Sequence, residues 1–407
     1  MGQALARTGG SELQMSLSIA LAGKPNTGKS TFFKAATLVD VEIANYPFTT
    51  ISANRGVSHV HVPCPCAQRS ARCGHCVDGI RFVPIELVDV AGLVPEAHKG
   101  RGLGNAFLDN LRQSEAIINV IDASGGTDIE GNVLGTASHD PVEDVSLLES
   151  EIALWIAGII EKNWHRLAKK AQLERNVAHV IATQLAGLNI GENQVKTAAL
   201  KLELFERPAD NWESEDIVKL SQELRRIAKP IIIAANKRDV ASSQNLERIE
   251  DVCQDVVATS GAAELALRLA HQKGLVNYVP GNTHFVVAAR SNQQQRNALE
   301  RLQKFIEADG TGVQTCLNKA VFDVLRYIVV YPVEDEHQWS DKEGRVLPDA
   351  FLIKEGENAK DLAFKVHSDI GRGFIYAVDA RTKKRLGEHH ILQNGDIIKI
   401  VASSRAK

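Results

Sequence analysis

The run Gly23-Lys24-Pro25-Asn26-Thr27-Gly28-Lys29-Ser30 constrains this chain more than any other stretch. Its G-x-x-x-x-G-K-S spacing is that of a phosphate-binding loop, and the context agrees. The apolar run Leu17 to Ala22 precedes it as a short strand, and Ser30-Thr31-Phe32-Phe33-Lys34 follows as a helix start. Glycines let backbone N–H groups close around phosphates, Lys29 reaches the β- and γ-phosphates, and the Ser30 hydroxyl ligates Mg²⁺. Asn26, Thr27, Gly28, Lys29, Ser30 and Thr31 are therefore the first candidates for nucleotide contact.

Three strand-linked elements and one loop add to the motif in order. Asp89-Val90-Ala91-Gly92 follows the apolar run Ile85 to Val88. It offers a carboxylate for Mg²⁺ and, at Gly92, an N–H for the γ-phosphate. Tyr46-Pro47-Phe48-Thr49-Thr50 lies earlier, a polar loop whose Thr50 hydroxyl suits a metal-bound γ-phosphate. Asn236-Lys237-Arg238-Asp239 follows the buried-strand pattern Ile231 to Ala235, and Ala258-Thr259-Ser260-Gly261 ends the short run Val256-Val257. Open α/β sheets bind ligands beyond the carboxyl ends of their strands, where these elements fall. The reading is a GTPase-type nucleotide site on an α/β fold.

Asp239 sets the expected base preference. Its carboxylate accepts two hydrogen bonds from guanine N1–H and the N2 amino group, and adenine offers no such pair. Asn236 and Lys237 should brace the loop and cover the base, with backbone near Ser260 and Gly261 meeting the guanine carbonyl. Phosphoryl transfer asks mainly for positioning and charge stabilisation, which Lys29, Thr50, Gly92 and Mg²⁺ supply. Leu93 stands where many GTPases place a water-orienting glutamine, so slow intrinsic turnover is expected. His98, in a glycine-rich stretch, is a catalytic candidate whose other reading is an exposed loop histidine.

Four of the six cysteines cluster as Cys64-x-Cys66-x₆-Cys73-x₂-Cys76. Two close pairs across a short loop suit a tetrahedral Cys₄ zinc site, with a thiol/disulfide pair or free thiols as the alternatives. Cys253 and Cys316 read as plain buried residues.

The 407-residue length suggests about two to three domains. The formal net charge of −3 gives no overall basic character, so any RNA contact must be local and sequence-specific DNA binding is not expected. The apolar run Ile152 to Ile160 is too short to span a bilayer, so no membrane association is expected. Residues 1–14 lack the apolar core of a signal peptide and read as a flexible extension, which suits a cytoplasmic protein. The βα pattern covers 15–138 and resumes over 230–274. Helical periodicity in Val145, Leu148, Ile152, Ile156 and Ile159, and again in Ile217, Leu220, Leu224 and Ile227, marks 139–229 as a helical insertion. Residues 275–324 read as a mostly helical connector and 325–407 as a small α+β module. Arg381-Thr382-Lys383-Lys384-Arg385 is a local basic cluster suited either to solvent or to RNA phosphates.

Gly23 to Thr31, Asn45 to Ile51, Asp89 to Val94 and Lys99-Gly-Arg-Gly-Leu-Gly-Asn105 resemble the Obg-like GTPases, in the archaeal form of the YchF branch. The resemblance implies a P-loop GTPase domain with a coiled-coil-like helical insertion and a C-terminal β-grasp (TGS) domain. It also implies a translation-factor-like switch binding GTP and GDP and visiting ribosomal RNA and proteins, with K⁺ assistance at Asn26. Many relatives carry an N-x-x-E motif and prefer ATP, where this chain has Asn236 to Asp239. The family also tends to carry a histidine where this chain has Asn119. An ATP-preferring NTPase and a nucleotide-gated, redox-responsive adaptor are the alternative readings.

Overall fold

The computed structural model describes residues 17–38, 54–69, 72–90, 92, 95, 96, 99, 111, 112, 114–289 and 292–403. The expectations for residues 1–14, for Thr50 and its loop, for Leu93 and for His98 lie outside these. The chain divides into two compact units.

The first unit comprises Ser18–Pro63 and Ile80–Arg326. Its sheet is built from β1 (Ser18–Ala22), β2 (Arg55–Pro63), β4 (Ile80–Asp89), β5 (Ala116–Asp122), β6 (Ile231–Asn236) and β7 (Val256–Ala258), with β3 (Cys76–Val77) a two-residue strand in the intervening loop. The order is β2-β4-β1-β5-β6-β7. All neighbours run parallel except β2, which pairs antiparallel to β4 over nine residues from Arg55–Val88 to Pro63–Ile80. Every residue of β1, β5 and β6 is buried, the mainly apolar pattern of a sheet covered on both faces. Edge strand β2 instead alternates half-buried and buried residues.

Between β5 and β6 the chain forms five α-helices: Pro141–Glu161, Trp164–Glu174, Val177–Leu185, Glu192–Lys201 and Ser214–Ala228. The first starts sharply because Asp140 accepts from Val142 N at 3.1 Å and Pro141, at a first-turn position, needs no backbone donor. Its residues Leu148, Ile152, Ile156 and Ile160 pack with Ile217, Leu220 and Leu224 of the last helix. This core is continuous with Ile117, Ile121 and Ile233 of the sheet, so the helices are rooted in that sheet. After β7, the helix Gly261–Gln272 leads to β8 (Val276–Asn277), β9 (Val286–Val287) and the helices Gln293–Ile306 and Val313–Asn318. The connector thus includes a small antiparallel pair besides helices, and it belongs to this same unit.

The second unit joins Cys64–Gly79 to Tyr327–Lys407. Its sheet has the order β11-β10-β14-β12-β13, from β10 (Tyr327–Val333), β11 (Phe351–Lys354), β12 (Phe374–Asp379), β13 (Arg385–Leu386) and β14 (Ile397–Ala402). The central β10–β14 pair is parallel and the others antiparallel. One helix, Ala359–Val366, closes the core formed by Val330, Ile353, Leu362, Ala377 and Ile398. Asn358 caps it by accepting from Lys360 N and Asp361 N. Mixed sheet and packed helix make a β-grasp fold.

Candidate functional site

The loop Gly23–Gly28 leaves β1 and enters the helix Lys29–Thr37 through two glycines held at positive φ. At Gly23, φ +146°, a Cβ would lie 2.4 Å from Val120 O. At Gly28, φ +90°, it would meet Asn236 Nδ2 at the same distance. No other residue fits either position.

Asn236 holds three loops together. Its Nδ2 donates to Thr27 O at 2.9 Å, while its Oδ1 accepts from Gly261 N at 3.0 Å and Thr259 Oγ1 at 3.3 Å. Asp239 Oδ1 accepts from Ser260 Oγ at 2.7 Å, which aims the carboxylate. Sequence reading expected the backbone near Ser260 and Gly261 to meet the guanine carbonyl. In the structure Ser260 N donates to Thr311 O at 2.8 Å and Gly261 N to Asn236 Oδ1 at 3.0 Å. These residues build the pocket by positioning Asp239 and Asn236.

Lys237, at φ +61°, sends Nζ to Asp122 Oδ2 at 2.8 Å. Asp122 is fully buried, which by itself would raise its carboxyl. The hydrogen bonds from Lys237 and Ser124 outweigh burial and hold it below the usual range.

On the phosphate side, the Lys29 ammonium pairs with Asp89 Oδ1, and Ser30 Oγ donates to Asp89 Oδ2 at 3.4 Å. Thr31 sits in the first turn of the same helix. The lysine, hydroxyl and carboxylate expected for phosphate and Mg²⁺ are therefore brought together. Gly92 lies against the loop, where a Cβ would stand 3.1 Å from Pro25 Cγ.

Several contributors were missed by sequence reading. Lys24 runs inward, 3% exposed, and its Nζ donates to Asp144 Oδ1 at 2.7 Å and Thr127 O at 2.9 Å. Asp144 also meets His139 Nε2 at 2.9 Å. Burial pushes this carboxyl above its usual range, and Lys24 and His139 only partly offset that. Asn26, at φ +63°, donates from Nδ2 to Gly131 O at 2.9 Å. A Cβ on Gly131 would come within 2.8 Å of Pro25, so the segment after β5 braces the phosphate loop tightly. Seven residues beyond Asp144, Glu151 accepts from Glu96 N at 2.8 Å. One face of the helix Pro141–Glu161 thus touches both the phosphate loop and the segment after Gly92. The sequence signal available for this was an acidic pair seven residues apart, which places both on one face of the helix. Asn119 lies inside β5, 1% exposed, and donates to Asp144 O at 3.2 Å, so it is a sheet residue.

In the second unit, Cys64, Cys66, Cys73 and Cys76 come together with all Sγ atoms within 4.8 Å of one another. Of the basic cluster, Arg381 Nε donates to Gln68 Oε1 and its Nη1 to Gly395 O, while Lys383 binds Glu336 O. Arg385 stacks 3.7 Å above Tyr376. Arg381, Lys383, Lys384 and Arg385 are all exposed.

Comparison with known proteins agrees with this geometry. Residues 18–149 match the family model of the 50S ribosome-binding GTPase, 234–335 that of the Obg-like GTPase YGR210-like, G4 motif-containing domain, and 343–402 that of the TGS domain. An uncharacterised GTP-binding protein of Methanocaldococcus jannaschii is 49% identical, over 95% of this chain and 99% of its own length. The ribosome-binding ATPase YchF of Bacillus subtilis is 28% identical over 94% of this chain and 98% of its own. The crystal structure of a GTP-binding protein from Pyrococcus horikoshii superposes with a TM-score of 0.76 at 39% identity, covering 95% of this chain and all of that one.

Proposed function

Since this chain belongs to the Obg-like GTPases, in the archaeal form of the YchF branch, we propose that it is a guanine-specific switch, slow in hydrolysis, that acts at the ribosome. The chain is a P-loop nucleoside triphosphatase with a C-terminal TGS domain. The observation that carries guanine choice is Asp239 held by Ser260 beside the three-way staple at Asn236. A carboxylate fixed in this way pairs with guanine N1–H and N2 and is left unpaired by adenine.

In this reading Lys29 and the loop amides after Gly28 hold the β- and γ-phosphates. Ser30 and Asp89, hard oxygen donors already side by side, would hold Mg²⁺ with Thr50. When bound, the ion would neutralise charge that develops on the phosphate oxygens. The Asn26 carboxamide, oriented by Gly131 O, offers Oδ1 to K⁺. Gly92 and His98 complete the candidate catalytic set. Lys237 and Asp122 stiffen the base side. The domain limits of the reading are 15–138 with 230–274 for the GTPase domain, 139–229 for the insertion, 275–324 for the connector and 325–407 for the TGS domain. A structural Zn(II) at the four clustered cysteines completes the cofactor set.

Nucleotide state has a route to the insertion. The helix Pro141–Glu161 contacts the phosphate loop through Asp144 and the post-Gly92 segment through Glu151. Support for the ribosome as partner comes from the B. subtilis relative's name and the family model of the first domain. Turnover measured with and without ribosomes, in K⁺ and in Na⁺, tests the switch. Stimulation by both ribosomes and K⁺ is expected. No stimulation, with partner binding altered by oxidants, would replace it by the redox-responsive adaptor.

A further inference from the structure

Residues 64–79 leave β2 and return into β4, yet they pack as part of the C-terminal unit. Val77, the one large apolar side chain among the described residues of this loop, is exposed. Cys64 and Cys66 are buried, but Gln68 and Arg69 are exposed, as are Gly74, His75 and residues 77–79. Backbone bonds from Cys64 N to Gly79 O, Ala67 N to Cys64 O and Arg69 N to Cys66 O give one short turn. Such a segment has no apolar core of its own.

The four thiols supply what is missing. Cys64 Sγ lies 3.6 Å from Cys73 Sγ, and Cys66 Sγ 3.5 Å from Cys76 Sγ. A tetrahedral ion with Zn–S bonds of about 2.3 Å needs sulfurs about 3.8 Å apart. The mutual limit of 4.8 Å therefore suits one ion and is too tight for a cluster of several irons. His75 N donates to Cys73 Sγ at 3.4 Å, the kind of amide–sulfur bond that orients a thiolate ligand.

What the closed loop presents is specific. Arg69 Cζ sits 4.1 Å from the centre of the Trp339 ring and Arg381 Cζ 5.8 Å from it. Trp339 is 5% exposed and anchors by Nε1 to Ala380 O at 3.2 Å. Gln68 accepts from Arg381 Nε at 3.1 Å, closing the circuit. Resting on the Zn(II) reading above, we propose that the metal is the fastener of the β-grasp module. Four thiols lose their protons to bind one Zn(II), and the loop so closed seats Arg69 and Gln68 on Trp339 and Arg381.

The full-length protein, purified without added metal, tests this by metal analysis and hydrogen exchange. About one equivalent of zinc per chain is expected, released by a mercurial thiol reagent. Release should speed exchange at least about tenfold in residues 64–69 and 335–347. GDP affinity should stay unchanged, because the nucleotide loops lie in the other unit. Arg69→Ala should keep its zinc and speed exchange in 335–347 alone. Less than about half an equivalent of zinc, iron in its place, or disulfides at the two cysteine pairs would overturn the metal reading. Full zinc with unchanged exchange in 335–347, on release and in Arg69→Ala, would leave the metal standing and overturn the fastener.

Discussion

Lys24 carries its charge into a place where side chains are 1% and 3% exposed, with Asp144 as its counter-ion. Desolvating two charges can cost more than their attraction returns, and burial does hold the Asp144 carboxyl above its usual range. The pair is better read as a positional device, fixing the Pro25 turn on the insertion helix. Asp144→Ala should therefore destabilise the protein by about 3–5 kcal/mol, since it strands a buried ammonium. Lys24→Met with Asp144→Leu should recover most of that loss. Urea unfolding of the two variants decides it, and an equal loss in both would mean that the charge pair itself stabilises the fold. Asp239 is the converse case, an exposed carboxylate held by Ser260 and offered to a ligand's donors. Asp239→Asn should weaken GDP binding at least about tenfold while leaving unfolding nearly unchanged.

Helices of the insertion are tied laterally by Glu223, which accepts from Lys201 Nζ at 2.9 Å and from Arg226 Nη2 at 2.6 Å. The Arg226 bond, set against partial burial, and then Lys201 hold its carboxyl at about 2. A depressed acid stabilises the fold above its unfolded value near 4.5, and that contribution is lost as pH falls from 4.5 towards 2. Glu223→Gln should cost about 1–2 kcal/mol at pH 7, discounted because Lys201 and Arg226 are half exposed, and only a small part of that at pH 2. Thermal unfolding across that range checks the sign. These helices were legible in the sequence because Leu148, Ile152 and Ile156 recur at helical spacing and are indeed buried. The strands were legible from apolar runs ending in motif residues. Strand β11 was not, because Phe351–Lys354 is four residues long and lacks alternation. The bracing segment after β5 escaped notice because Gly131 and Thr127 act by close approach, which leaves no periodic trace. Asp144 and Lys24 are paired by the fold across 120 residues, a separation that no local pattern reveals.

A different limit applies to the division of the chain. Cysteine spacing proposed a metal site, yet nothing in residues 64–79 shows that they join Tyr327–Lys407 in one unit. That assignment rests on Arg69, Gln68, Trp339 and Arg381, contacts of very long sequence separation. It also bears on the proposed phosphate contact of the basic cluster: Arg381 already bonds to Gln68 and Gly395, so exposed Lys384 and Arg385 are the residues on which that proposal is best tested. Lys384→Gln with Arg385→Gln should weaken ribosome co-sedimentation and flatten its salt dependence, through fewer released counterions. Co-sedimentation unchanged over a salt series would remove this surface from the account. The account as a whole stands on guanine choice by the Asp239 pocket. Equilibrium titration of the intact protein with fluorescent GDP and ADP tests it most directly. GDP should bind at least about tenfold tighter than ADP; equal or tighter ADP binding would contradict the account.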